Sequence, residues 1–292
     1  MKRILVPIDF SKSAENAAHY ALQLAKYLKA NITLCNVFLL PATVPATAQV
    51  SLPGYEYDIL QEENRKELEV VVKHLRNEER TLTAPDFFHP VIESISEAGG
   101  VKDVIMQLAE DKKAEMVVMG MTGAGTVSQF LLGSVSRKMI DNAEFPLLLV
   151  PASFVFQKIR KIAFATDLSE SDIDVIHSLS GLARYFNANL VVIHISENKQ
   201  DDKTYQKESD LFLNDITCKV DYDKIYYRHM LHTDVEKGLE WISVNGFIDM
   251  LIMVHRNLSF LDRLFNLSHT QKTATHLSVP LLVLPAGLHP LF

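Results

Sequence analysis

The chain has little of what marks a secreted, membrane-spanning or nucleic-acid-coating protein. Two of its 292 residues are cysteine, Cys35 and Cys218, far apart and each inside an apolar segment. That placement argues against a disulfide framework and predicts two buried free thiols in a reducing compartment. Basic residues are in the minority: 29 Lys and Arg stand against 36 Asp and Glu, a formal net charge of −7. A dedicated nucleic-acid binder carries a basic surplus, so that class is set aside, although a small basic pocket for a phosphate is not. No apolar run approaches the ~20 residues that cross a bilayer, so no membrane partner is expected. The opening Met-Lys-Arg passes directly into Ile4-Leu5-Val6-Pro7-Ile8-Asp9, which is too short for a signal-peptide core and has no small-residue cleavage site after it. The expected location is the cytoplasm.

What is present is a repeat. Arg3-Ile4-Leu5-Val6-Pro7-Ile8-Asp9-Phe10-Ser11 resembles Lys161-Ile162-Ala163-Phe164-Ala165-Thr166-Asp167-Leu168-Ser169, and Ala30-Asn31-Ile32-Thr33-Leu34 lies at the same offset from Ala188-Asn189-Leu190-Val191-Val192. Near the ends, Phe145-Pro146-Leu147-Leu148-Leu149-Val150-Pro151 resembles Val279-Pro280-Leu281-Leu282-Val283-Leu284-Pro285. The offset falls from 158 to 134 along the way, so the second copy is shorter. Most of the difference fits residues 39–57, a loop rich in Pro, Ala and Thr. Residues 152–157 join the copies, giving domains at 1–152 and 153–292.

Each copy alternates short apolar runs with longer helical patterns. In copy one the runs are residues 4–8, 32–38, 87–95, 116–119 and 147–150, mostly Val, Ile and Leu, with 87–95 more mixed. Runs of that kind are strands buried on both faces, as in a parallel sheet. Ala14, Ala17, Ala18, Ala21, Ala25 and Leu28 keep a helical period between the first two runs, and Ile176, Leu179, Ala183 and Phe186 repeat it. Ser11 is a plausible N-cap, and Ser169 with Asp172 resembles a capping box. Residues 61–80 read as a helix packed through Leu68, Val71, Val72 and Leu75. The predicted fold class is α/β: two tandem doubly wound domains with helices on both faces of the sheet. Ligands of such folds sit beyond the carboxyl ends of the strands.

Four of the eleven glycines fall between residues 120 and 133, in Gly120-Met121-Thr122-Gly123-Ala124-Gly125-Thr126 and then Gly133-Ser134-Val135-Ser136. Gly120 and Gly123 would let backbone approach a bulky anion. Gly133 and Ser134 would open a helix whose first N–H groups and positive dipole end attract phosphate, and the hydroxyls of Ser134 and Ser136 can donate to phosphate oxygens. Asp9, at the end of the first strand, would accept from a ribose hydroxyl or a base amino group. The spacing is neither a Walker loop nor the dinucleotide Gly-x-Gly-x-x-Gly.

Gly120-x2-Gly123-x9-Gly133-Ser134, with Val-Pro-Ile-Asp9 before it and Pro146-Leu-Leu-Leu-Val after it, resembles the universal stress protein family across both copies. The resemblance implies five-stranded parallel sheets of order 3-2-1-4-5. It implies ATP held by Asp9 and the backbone near Val37 and Phe38. It places the triphosphate on Gly120, Thr122, Gly123, Gly133, Ser134 and Val135, with Mg2+ on its oxygens. It also implies that the fifth strands, residues 147–150 and 281–284, pair within one chain as a built-in pseudo-dimer; a further homodimer and a protein partner are left open. Thr122 stands where many relatives carry a longer polar or basic side chain.

Copy two departs from that pattern. Aligned on Pro146 and Pro280, the three glycines fall on Val254, Asn257 and Leu267, and only Ser268 matches Ser134. No ATP is expected there by the same mode, and Asp167 is expected to cap or hydrogen-bond at the strand end. Residues 256–265 could form an amphipathic lid that meets a partner or, the favoured reading, fills the vacated pocket. His232, His255 and His269 fall at strand and helix ends on one sheet edge, a conceivable imidazole metal site set against the blander reading of separate histidines. No catalytic constellation stands out: there is no Gly-x-Ser-x-Gly elbow and no Cys-x-x-Cys. The sequence therefore points to an ATP-binding regulatory protein of the universal stress type. The alternatives are a nucleotide-independent scaffold or small-ligand carrier using copy two, and at most a slow ATPase.

Overall fold

The computed structural model describes residues 2–39, 53–84, 86–122, 132–142, 144–196, 202–232, 234–256 and 277–287. In the first half, strands β1 (Arg3–Pro7), β2 (Asn31–Phe38), β3 (Ile92–Ala98), β4 (Met116–Gly120) and β5 (Leu147–Val150) alternate with helices α1 (Lys12–Leu28), α2 (Pro53–Leu82), α3 (Val101–Asp111) and α4 (Ser134–Asn142). The second half repeats the order with β6 (Lys161–Thr166), α5 (Asp172–Phe186), β7 (Asn189–Ser196), α6 (Asp202–Lys219), β8 (Ile225–Leu231), α7 (Val235–Asn245), β9 (Met250–His255) and β10 (Leu281–Pro285). All ten strands lie in one sheet, in the order β3-β2-β1-β4-β5-β10-β9-β6-β7-β8. Each half thus has strand order 3-2-1-4-5, parallel throughout.

The halves meet at the fifth strands. β5 and β10 pair antiparallel, with Leu149 opposite Leu281, Leu148 opposite Leu282 and Leu147 opposite Val283. All six side chains are buried, because this junction is the middle of the sheet and helices cover both of its faces. Two cores result, one per face, and each contains residues from both halves. On one face α1 lays its alanines against the sheet: Ala14, Ala17, Ala18, Ala21 and Ala25 are all buried. Tyr27 of α1 stacks near Phe186 of α5, ring centres 4.8 Å apart. The connector is anchored as well. Asn16 donates to the carbonyls of Pro151 and Phe154, each at 3.0 Å, and Phe156 packs edge-on to the buried Tyr20.

The repeat is visible in the backbone. Positive φ occurs at Phe10 and Leu168, at Lys29 and Asn187, and at Lys113 and Phe247. The first two pairs stand at the N-terminal offset of 158 and the third at the later offset of 134. Each pair marks the same turn made twice.

Several expectations need correction. The third strand begins at Ile92 and runs to Ala98, not over 87–95. Phe87 is exposed, and Pro90 lacks the N–H that a ladder needs. As an edge strand, β3 keeps the mixed pattern that blurred its limits. The proline-rich region stops earlier than residue 57, since α2 begins at Pro53. Cys35 is buried as expected, whereas Cys218 lies on the exposed side of α6. Ser169 and Asp172 do not form a capping box. Helix α5 is preceded by Ser171, the Ser169 N–H is taken by Asp167 at 3.1 Å, and the Asp172 side chain turns inward.

Candidate functional site

In the first half the strand-end edge is built by three segments that hold one another. Asp9 lies two residues past β1, where its Oδ1 accepts from the Ser11 N–H at 3.1 Å and the Ser11 hydroxyl at 2.6 Å. Ser11 in turn caps α1, accepting from the Ala14 N–H at 3.2 Å. This turn requires the left-handed conformation of Phe10, φ 58°. Beside it, β4 ends at Gly120, and a Cβ there would stand 2.3 Å from Ser13 Oγ and 2.9 Å from the Ser13 carbonyl. Glycine at 120 is therefore demanded by the close approach of α1, a reason the sequence did not show.

Helix α4 is tied to the same place. The Gly133 N–H donates to Met121 at 2.7 Å, and the Ser136 hydroxyl donates to the Gly120 carbonyl at 3.0 Å. The first bond of the helical ladder runs from Arg137 N–H to the Gly133 carbonyl, 3.0 Å, so the amides of Ser134, Val135 and Ser136 precede that ladder. Ser134 is exposed and Val135 half-buried, while Ser136 is buried. Ser136 is consequently corrected as a side-chain phosphate donor: its one O–H is spent on Gly120. Val37 and Phe38 close β2, and the Phe38 carbonyl accepts from Gly99 N–H at 3.0 Å. Thr122 is buried. Gly123 lies outside the described residues. The edge thus brings Asp9, Gly120, Thr122, Gly133 and the start of α4 together around the end of β4.

A model of the universal stress protein family matches residues 1–151, more than half of the chain. The chain belongs to the universal stress protein family. Among similar relatives is a universal stress protein of Methanocaldococcus jannaschii, 31% identical over 149 residues, which cover 51% of this chain and 81% of that protein. Another is a universal stress protein of Thermus aquaticus, 30% identical over 149 residues, covering 51% of this chain and 98% of the relative. The crystal structure of a universal stress protein from Archaeoglobus fulgidus superposes over 98% of both chains with a TM-score of 0.67 at 16% identity. That likeness concerns the fold, and it spans both halves.

The second universal stress fold builds the corresponding edge differently. Sheet register supports the alignment of the copies, because Gly120 lies opposite Val150 and Val254 opposite Leu284. Thr122 then corresponds to Arg256, and Ala14 to Asp172. The Arg256 guanidinium donates to Asp167 Oδ1 at 2.7 Å, to Ser171 Oγ at 2.8 Å and to Asp172 Oδ1. Asp172 is 1% exposed, and its Oδ2 accepts from Thr166 Oγ1 at 2.5 Å. Burial pushes the Asp172 carboxyl above its usual range, against the opposing pull of the Arg256 and Thr166 hydrogen bonds. Asp167 does hydrogen-bond at the strand end, as expected, but the sequence reading missed Arg256. Comparing the copies position by position would have found it, since an arginine and an aspartate replace a threonine and an alanine together.

Beneath this cluster lies a cavity of about 320 Å³, walled by Ile193, Ile195, Val235, Leu239 and Met253 and rimmed by Asp167, His194 and Arg256. His194 donates through Nδ1 to the Thr166 carbonyl at 3.1 Å, and His229 stacks beside it with ring centres 5.6 Å apart. Burial, and then the neighbouring His194, lowers the pKa of His229. His232 instead bonds the Asp234 carbonyl at 2.9 Å, and His269 lies outside the described residues, as do residues 257–265. Among the described residues no group of three His, Cys, Asp or Glu could hold a metal ion, and no helix is long and apolar enough to cross a membrane.

Proposed function

We propose that this chain is an ATP-binding regulatory protein in which the first half, residues 1–152, holds the nucleotide. The second half, residues 153–292, does not hold it in the same way. One observation carries the reading: Asp9 and the first-turn amides of α4 open onto one strand-end edge, locked together through Ser13, Gly120 and Ser136. A carboxylate suits ribose hydroxyls, and a helix N-terminus suits phosphate oxygens. Asp9 would hold the nucleoside, with the backbone of Val37 and Phe38 beside it. Gly133, Ser134 and Val135, with Thr122 and Gly123, would hold the phosphates. Mg2+ would ride on the phosphate oxygens and requires no carboxylate from the protein. Membership of the universal stress family supports the assignment.

ATP then acts as a ligand that shifts the protein between states for which its affinity differs. Any hydrolysis is slow, because among the described residues the edge offers positioning groups without an evident base for water. Calorimetry with ATP and Mg2+ on the wild type and on Gly133→Val tests this. One site per chain, lost in the variant while the fold is kept, supports the reading. No binding by the wild type removes it.

A further inference from the structure

The crevice of the second half invites a different ligand. Its floor is apolar: Ile193 and Ile195 from β7, Met253 from β9, and Val235 and Leu239 from α7. A volume of about 320 Å³ lies at the lower end of the ~300–1,000 Å³ typical of small-molecule sites. The rim is ionic. Arg256 supplies one positive charge, and Asp167 and Asp172 supply two negative ones. The guanidinium is already committed to both carboxylates and to Ser171. Thr166 is committed too, donating to Asp172 and accepting from the Leu168 N–H at 2.9 Å.

The rim also offers acceptance. The hydrogen bonds that Asp167 makes among the described residues fall on Oδ1, and its side chain is 67% exposed. The second carboxylate oxygen can therefore receive a donor from a molecule seated in the cavity. A phosphate placed there meets a surplus negative charge and an arginine that has already spent three of its five N–H groups on Asp167, Ser171 and Asp172. It also meets Val254 where the first half has glycine. The first half carries the uncharged Ala14 and Thr122 at the positions of Asp172 and Arg256. The two halves thus differ in charge pattern at the same edge, and the difference works against phosphorylated ligands in the second.

We propose that the second half carries its own small-molecule site in this crevice, for an apolar molecule bearing a neutral or cationic hydrogen-bond-donating head, and that the Arg256–Asp167–Asp172 cluster rejects phosphorylated ligands from it. The site is separate from the ATP site of the first half and does not depend on it.

Three probes share one apolar body and differ in the head: benzyl alcohol, benzylamine and benzyl phosphate. Saturation-transfer NMR and calorimetry on the full chain should show the alcohol and the amine binding one per chain, with the phosphate at least tenfold weaker. Ala165→Leu and Ile195→Phe, on different strands, fill the cavity. Each should abolish binding while circular dichroism and the ATP response of the first half stay unchanged, and if one fails to fold the other still decides. Asp167→Asn should weaken the amine tenfold and the alcohol less than threefold. Benzyl phosphate binding as well as the alcohol would overturn the proposal. So would no binding by any probe, or unaltered binding in a folded cavity-filled variant.

Discussion

Arg256 reaches Asp167 across 89 residues of sequence, its Nη1 lying 2.7 Å from the carboxylate. The other arm of the same guanidinium closes on the buried Asp172. The first half places a threonine and an alanine at the positions of Arg256 and Asp172, so this latch is a property of the second half alone.

Cutting one side of the latch is expected to be costly. Arg256→Thr leaves Asp172 buried without its cation; because the arginine itself is 25% exposed, the loss should fall below the ~3–5 kcal/mol of a fully buried pair. Asp172→Ala with Arg256→Thr restores the pair carried by the first half. The double variant should lose less than the sum of the single losses by about 0.5–3 kcal/mol. Urea unfolding of the four proteins measures this, and strict additivity would show that the two groups are not coupled.

Gly120→Ala should destabilise the chain by about 1–3 kcal/mol, the usual cost of an atom forced into a packed site. The new Cβ would meet Ser13 Oγ at 2.3 Å and the Ser13 backbone at 2.9 Å. Adding Ser13→Gly removes only the first clash, so it should recover part of the loss. Full recovery would mean that the backbone contact yields freely.

The two thiols should behave oppositely. Burial pushes the Cys35 thiol up to about 12, leaving almost no thiolate at neutral pH. Cys218 lies on an exposed surface. An aromatic disulfide reagent should titrate one thiol in the native protein and two in denaturant. Rapid reaction of both in the native state would contradict the packing around β2.

How much of this was legible beforehand follows from the range of each interaction. The repeat and the alternation of strands with helices rest on local apolar runs and on short motifs written twice, and a single chain displays those openly; the strand order and the β5–β10 junction follow from the resemblance to the universal stress family. The offsets of 158 and 134 return as matched left-handed residues, Phe10 with Leu168 and Lys113 with Phe247. Contacts between distant segments were hidden. Ser136 reads as a phosphate donor until its hydroxyl is found on Gly120, and nothing near Gly120 in the sequence reveals that Ser13 packs against it. Arg256 reads as the start of an amphipathic stretch until its guanidinium is found on Asp167 and Asp172. Asp172 was read as part of a helix start, since aspartate is common there. Exposure misled at Cys218, because helix α6 has a weak apolar stripe and a cysteine is compatible with either side.

A pH effect follows from His19 on α1 and Glu78 on α2, which are hydrogen-bonded to each other. That bond raises His19 above its ordinary 6.5, against the cost of burial. For Glu78 burial would raise the pKa, but His19, with help from the Gln23 hydrogen bond and the Lys26 charge, holds the carboxyl below its ordinary 4.5. A raised histidine stabilises fully below 6.5 and loses its contribution as pH rises through its folded value. A depressed carboxylate stabilises above 4.5 and loses its contribution as pH falls. Both contributions are present together between those values. His19 is half exposed, so the pair is screened. The Tm of the wild type should exceed that of Glu78→Gln by about 1–3 °C at pH 5.5, and the gap should shrink at pH 8.5. A gap that widens with pH would reverse the assignment.

The antiparallel seam of β5 and β10 has a genetic consequence. Where two identical subunits meet, every substitution appears twice, and a change that ruins one crevice ruins both. Here the mirrored halves are written once each in a single reading frame, so a mutation reaches one crevice and leaves its counterpart alone. The seam supplies the mutual support of a dimer without its enforced symmetry. Under that arrangement one half can keep its glycines while the other drifts toward an arginine latch.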